Sequence, residues 1–209
     1  MRRQLIGLML FMSAGISHGG AYEDILIAAG NGDTATVVNL VQRGMDVNTT
    51  DQSGMTLLMI ATRNGNIALV KSLLANRANV NRRNQHGDSA LLLAALKPDL
   101  EAVKLLLEHG ADVNPPGWAP LQYAMFSGSK EIAAALIAKG ANVDARAPNG
   151  QTALMLAVKQ GKIELVTLLV EARANKDLKD SEGVTALGHA RKMDHSDTIN
   201  YLQKIGAAG

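Results

Sequence analysis

No cysteine occurs in the 209 residues. Disulfides are therefore excluded as a source of stability, thiolates as metal ligands, and a lipobox thiol as a membrane anchor. Aromatic residues are also scarce, at 3% of the chain: one Trp, three Tyr and two Phe. The longest apolar run, Leu5 to Met12, falls well short of the roughly 20 residues that span a bilayer. Basic residues never run to more than two in succession, as at Arg82-Arg83, so the clustered footprint expected of a nucleic-acid-binding chain is missing.

Catalytic spacings are equally absent. There is no His-x-x-x-His or Glu-x-x-His pair and no phosphate-cradling glycine loop leading into Lys-Ser or Lys-Thr. The G-x-S-x-G match formed by Gly15, Ser17 and Gly19 lacks the strand-turn-helix setting of a nucleophile elbow. Outside His18, the histidines are His86, His109, His189 and His195, and none has a base or ligand partner at a recognised spacing. A metal site would need carboxylates gathered from distant segments. The expectation is a chain that is not an enzyme and carries no metal or cofactor.

The first 21 residues differ in kind from the rest. Arg2 and Arg3 precede the apolar run, and small residues follow at Ser13, Ala14, Gly15, Gly19, Gly20 and Ala21. This reads as a secretory signal peptide over residues 1–21, with cleavage before Tyr22 or after Gly19, and an uncleaved anchor as the alternative. Export to a bacterial periplasm is expected, with eukaryotic secretion as the other destination. Without Arg2 and Arg3 the 19 remaining basic residues balance the 19 acidic ones, so the exported chain carries no net formal charge.

What the chain has in abundance is periodicity. Gly54, Gly87, Gly117, Gly150 and Gly183 lie 33, 30, 33 and 33 residues apart. Each is followed two residues later by Thr56, Ser89, Ala119, Thr152 or Thr185, and seven later by Ala61, Ala94, Ala124, Ala157 or Ala190. A second motif runs in step: Asp46-Val47-Asn48, Asn79-Val80-Asn81, Asp112-Val113-Asn114, Asn142-Val143-Asp144 and Asn175-Lys176-Asp177. A period near 33 with a T-P-L-H-x-A-like core resembles the ankyrin repeat. The resemblance covers the chain from residue 22 and implies an all-α repeat solenoid, an ankyrin stack of helix-turn-helix units joined by short β-hairpin fingers. Six units are expected, at 22–48, 49–81, 82–114, 115–144, 145–177 and 178–209.

Unit 49–81 shows how one repeat is built. Thr56 can cap a first helix running to about Arg63, and Leu58 and Ala61 face inward. Asn64-Gly65 suits a left-handed stop. Ile67, Val70, Leu73 and Leu74 form the apolar stripe of a second helix that reaches about Ala75. Neither helix is long enough to stand alone, so neighbouring units must cover its stripe. Leu100, Val103, Leu106 and Leu107, then Ile132, Leu136 and Ile137, then Ile163, Val166, Leu169 and Val170 repeat that stripe. The more polar last unit reads as a C-terminal cap.

The chain departs from the family pattern in several places. Only Pro120 keeps the helix-starting proline, and Met59, Leu92, Gln122, Met155 and Gly188 replace the family histidine, which puts that hydrogen-bond ladder in doubt. Unit 115–144 is three residues short between Asn114 and Gly117.

The resemblance further implies that a partner protein is held on the concave face by finger tips and first helices. The residues after the finger glycines are expected to face outward: Met55, Asp88, Trp118, Gln151 and Val184. The ends of the first helices add Arg63, Leu96, Lys97, Phe126 and Lys159. Trp118 and Phe126 fall in the same unit, and tryptophan is enriched in binding hot spots. The bland reading is that Trp118 folds over the short Pro115-Pro116 finger, since a large ring gains from burial wherever it finds cover. The expected function is a monomeric, non-catalytic protein-binding module without a stable membrane anchor. A ligand-binding or catalytic solenoid, with a site near the short finger lined by Trp118, Tyr123 and Phe126, is the alternative.

Overall fold

The computed structural model describes residues 18–208. Most of the expected signal peptide, residues 1–17, lies outside them. The described residues form twelve helices in chain order: α1 (His18–Asn31), α2 (Thr34–Gln42), α3 (Leu57–Asn64), α4 (Ile67–Ala75), α5 (Ala90–Leu96), α6 (Leu100–Glu108), α7 (Pro120–Ser127), α8 (Lys130–Ala138), α9 (Ala153–Lys159), α10 (Ile163–Glu171), α11 (Ala186–Lys192) and α12 (Ser196–Lys204). Each odd-numbered helix pairs with the even-numbered one that follows it. The odd helices stack in sequence as one layer and the even helices as a second. The boundary expected between Ala21 and Tyr22 falls inside α1, where Ala21 is buried.

Local chemistry explains why such short helices start and stop where they do. Thr56 accepts a hydrogen bond from the Met59 N–H at 3.1 Å, and Asn66, Asp99 and Asp33 cap α4, α6 and α2 in the same way at 3.0 Å. Each such cap satisfies one of the free donors at a helix N-terminus. Gly65, at φ 72°, ends α3 in the left-handed conformation, which glycine adopts at no steric cost.

Between the layers lies one continuous apolar core. Leu69, Val70, Leu73 and Leu74 of α4 are buried, as are Val103, Leu106 and Leu107 of α6, Ile132 and Leu136 of α8, and Val166 and Leu169 of α10. Ile67, Leu100, Ile137, Ile163 and Val170 are only partly covered and mark the edges of the stripe. Ala61, Ala94, Ala124, Ala157 and Ala190 are completely buried; their small side chains allow neighbouring first helices to pack closely.

The fingers differ from the expectation of β-hairpins. Among the described residues there is no strand, only an isolated antiparallel bridge between Thr50 and Thr56. The reason is length: the full-length fingers close with only a few main-chain bonds, such as Asp51 N–H to Met55 O at 3.0 Å or Asp180 N–H to Val184 O at 3.0 Å. Side chains replace the missing ladder. Asp51 Oδ1 accepts from the N–H groups of Ser53 and Met55, Asn84 Oδ1 from those of His86 and Asp88, and Asp180 Oδ1 from those of Glu182 and Val184. Such side-chain bonds mimic a turn.

The second motif proves to be the cross-link between units. Asn48 Oδ1 accepts from the Asn79 N–H at 2.7 Å, Asn81 from Asp112 at 2.8 Å, Asn114 from Asn142 at 2.7 Å, and Asp144 from Asn175 at 2.8 Å. Asp177 ends the series on the Ala208 N–H at 2.6 Å. The first residue of each motif fixes the last, as Asp46 does by accepting from the Asn48 N–H at 2.8 Å. Each rung is worth about 0.5–1.5 kcal/mol.

Candidate interaction surface

The fourth unit, whose finger is short, departs most from its neighbours. Ala119 has no hydroxyl to cap α7, and Pro120 needs no hydrogen-bond acceptor at the first helical position. Gln122 takes over the missing role. Its Oε1 accepts from the Ala119 N–H at 2.8 Å, and its Nε2 donates to Ala145 O at 2.9 Å and Gln151 O at 3.2 Å. The side chain is buried and ties the short finger to the one after it. The family ladder, in doubt from sequence, thus survives at Gln122. At Met59 and Met155 only a thioether sulfur receives the N–H of Thr56 and Thr152, at 3.5 Å.

Arg83 secures the other side of the short finger, donating from Nη2 to Pro116 O at 3.0 Å. Above it three rings meet. Trp118 and Phe126 have centroids 5.6 Å apart, and Tyr123 stands edge-on to both at 6.3 Å. Ring centroids at these separations are in contact, so the rings fill the space between them and form an apolar platform. Tyr123 donates its hydroxyl to Asp88 Oδ1 at 3.4 Å, and Asn84 Nδ2 donates to Asp88 Oδ2 at 3.2 Å. Burial raises the Tyr123 pKa, reinforced by the charge of Asp88. The phenol therefore stays protonated as the donor.

The structure divides the expected contact residues. Arg63, Leu96, Lys97 and Phe126 are exposed, with Leu96 at 46% and Phe126 at 42%, and Lys159 is half-buried. The row after the finger glycines does not stand out as expected. Asp88, Trp118, Gln151 and Val184 are half-buried, and Trp118 packs against the core edge. Met55 is a correction: it is only 5% exposed. Its sulfur lies 3.4 Å from Asn84 Nδ2 of the next finger, because an apolar thioether gains from cover that the stacked neighbour provides.

One histidine also sits differently from the sequence reading, which gave it no acid or base partner, and two others lie against main-chain carbonyls. His189 is buried, with Nε2 2.7 Å from Asp180 Oδ2. Burial raises the Asp180 pKa, but the N–H bonds from Val184 and Glu182 and the His189 contact outweigh it, and the net shift is downward. The pair locks the last finger onto α11. His195 Nδ1 lies 2.8 Å from Val158 O of the preceding unit, and His109 Nδ1 lies 2.8 Å from Leu105 O at the end of α6. A sequence signal for the His189 pair existed, since Asp180 opens the finger nine residues before it, but only packing shows that the two positions touch. Among the described residues no group of His, Asp and Glu is placed to hold a metal, and no helix is long and apolar enough to cross a membrane.

Paired helices in two layers, joined by turn-like fingers and cross-linked by a polar ladder, define a repeat solenoid. The family is then direct: ankyrin-repeat models match residues 25–116, 64–147 and 121–208, and the chain belongs to the ankyrin-repeat family. An ankyrin repeat domain from Acinetobacter baumannii AYE superimposes with a TM-score of 0.81 at 33% identity, over 88% of this chain and 98% of that one. A chain from the complex of a predatory endopeptidase from Bdellovibrio bacteriovorus with an immunity protein does so with a TM-score of 0.79 at 31% identity, over 87% of this chain and 97% of that one. No curated protein sequence matches significantly.

Proposed function

We propose that this chain is an exported, non-catalytic binding protein that holds another protein across the face formed by its first helices and fingers. One observation carries the reading: Leu96 and Phe126 are large, apolar and exposed at equivalent helix ends of adjacent units, and Phe126 is braced by Trp118 and Tyr123. Exposed apolar side chains on a rigid aromatic base resemble the anchors of protein interfaces. The stack is held by ladder bonds from end to end, so binding costs little ordering. The neighbour from a complex between an endopeptidase and an immunity protein supports a protein partner, and an enzyme is the kind of target such a face could block. The contacts among the three rings favour a projecting platform over a ligand cavity at the short finger.

A photo-reactive amino acid placed at Ser127 tests the surface in living cells, with the same residue at Lys104 on the opposite layer as control. A protein cross-linked from Ser127, not from Lys104, and lost in a folded Leu96→Ala, Phe126→Ala variant is the expected result. Equal yields from both positions would sink the proposal. Export is tested by fractionation and N-terminal sequencing: a periplasmic chain beginning at Gly20 or Tyr22 is expected, and a cytoplasmic chain retaining Met1 refutes it.

A further inference from the structure

The fingers carry four carboxylates, and three of them have a basic partner. Asp51 lies within reach of the Arg63 charge, Asp180 Oδ2 is 2.7 Å from His189 Nε2, and Glu182 Oε2 is 3.8 Å from Lys192 Nζ. Asp88 is the exception: among the described residues it forms no ion pair. Arg83, in the same finger, directs its bonds to the main chain, from Nε to Gly87 O and from Nη2 to Pro116 O at 3.0 Å. Lys97 likewise donates to Arg63 O at 3.1 Å.

Asp88 is not needed to shape its own finger. In the second and last units an aspartate accepts the turn N–H groups, Asp51 from Ser53 and Met55 and Asp180 from Glu182 and Val184; in the third, Asn84 does so, from His86 and Asp88. The Asp88 carboxylate is instead held against the ring cluster by neutral groups. Asn84 Nδ2 donates to Oδ2 at 3.2 Å and the Tyr123 hydroxyl to Oδ1 at 3.4 Å. A carboxylate accepts about four hydrogen bonds, so a site stays free on each oxygen. That is the pattern a guanidinium fork fills.

Docking on the rings removes water from this carboxylate. Asp88 is half-buried, and Tyr123, bonded to it, also stands edge-on to Trp118 and Phe126. A partner seated on Phe126 therefore dries Asp88 as well, and an ionised group without water is destabilising unless it is paired. Arg63, Lys97 and Lys159 escape that penalty, since long basic side chains keep their heads in water at a rim. A short aspartate has no such freedom.

We infer that the partner inserts an arginine here, its guanidinium forked onto Asp88 and its flat face against the aromatic cluster. Arginine fits better than lysine because its planar cation both stacks on rings and donates two parallel bonds. This inference rests on the proposed binding face and names the chemistry of one anchor within it.

Trp118, the only tryptophan, reports on the site. The full chain is titrated with N-acetyl-arginine amide and, as a neutral copy of the same shape, N-acetyl-citrulline amide, following the indole N–H signal of Trp118 by NMR. Arginine should shift that signal saturably at concentrations up to about 100 mM, the weak range open to a single side chain, and citrulline should not. Asp88→Asn should abolish the shift and lower the Ser127 cross-link yield at least about tenfold, as for an interface hot spot. Asp51→Asn, which copies what Asn84 does in the third unit, should leave both unchanged. Circular dichroism checks that the two variants are folded.

An equal shift with citrulline or with N-acetyl-lysine amide overturns the inference, as does an Asp88→Asn variant that behaves like the parent. Absence of any arginine shift also overturns it. If the Ser127 cross-link persists in that case, the binding face stands and only this anchor falls; if the cross-link is absent as well, the face falls with it.

Discussion

The second and fourth units share one plan and fill it with opposite chemistry. In the second, a threonine caps the first helix, a methionine sits in the family's histidine position, Met55 is buried under the next finger, and Arg63 ends the helix. In the fourth, alanine replaces the cap, Gln122 takes over capping and reaches the next finger, Trp118 stands where Met55 does, and Phe126 replaces the arginine. Removing three finger residues left polar and apolar gaps. Gln122 fills the polar one, and the rings cover the apolar one. Rebuilding the finger explains Trp118 and Gln122 but not the exposure of Phe126, and that residue separates a structural repair from a binding surface.

Four tests break or sharpen the contrast. The two units should be equally dependent on their cores: Leu58→Ala and Leu121→Ala, both at almost completely buried sites, should each cost about 2–5 kcal/mol in urea denaturation. A much smaller loss at Leu121 would mean that the short unit is loosely packed. Next, Gln122→Met, which copies the second unit, should cost about 1–3 kcal/mol by leaving buried polar groups unpaired, whereas Met59→Leu should stay below about 1.5 kcal/mol. Similar losses at both sites would remove the distinction. Phe126→Ala should cost only about 0.5–1.5 kcal/mol through its ring contacts, while abolishing the Ser127 cross-link; a large loss of stability with the cross-link intact would make it a core residue.

The smallest effect concerns acid. At Asp51, burial raises the pKa but the bonds from Ser53 and Met55 and the charge of Arg63 bring it below its ordinary value; Asp180 is lowered in the same net direction. A carboxylate depressed in the folded state contributes stability that is full above its unfolded pKa of about 3.9 and is lost as pH falls through the lower folded value. Hydrogen exchange at the Met55 and Val184 amides should therefore accelerate as pH drops below about 3.9, beyond the intrinsic change for exposed amides. The Ala119 amide, held by Gln122, should not share that excess. Uniform loosening of all three would show that the finger carboxylates are incidental.

Much of this architecture was legible in the residues themselves. The period, the apolar stripes and the caps each depend on local chemistry, and α4 runs over the expected Ile67 to Ala75. The Asn and Asp motifs were visible as well, but their purpose was not, because each acceptor finds its donor one whole unit away. Met55 was misjudged for the same reason: its cover comes from Asn84 of the next finger, which no inspection of a single repeat reveals. Gln122 combined two signals, a polar residue at the family's ladder position in the one shortened unit, and read together they mark a compensation. The binding row was legible as positions; the exposure of Leu96 and Phe126, against the half-burial of Trp118, required the packed chain.

The ladder has a mechanical consequence. Its rungs join each unit only to the next, so a pull on the two ends loads them in series and no rung shields another. Extension should proceed in discrete steps, one unit at a time, each freeing a repeat's worth of chain, on the order of 100 Å for a 33-residue repeat at about 3.3–3.6 Å per residue. The Asp177 bond to Ala208 supplies the rung of the last unit, so the molecule holds its shape when a partner docks and yields under tension one repeat at a time.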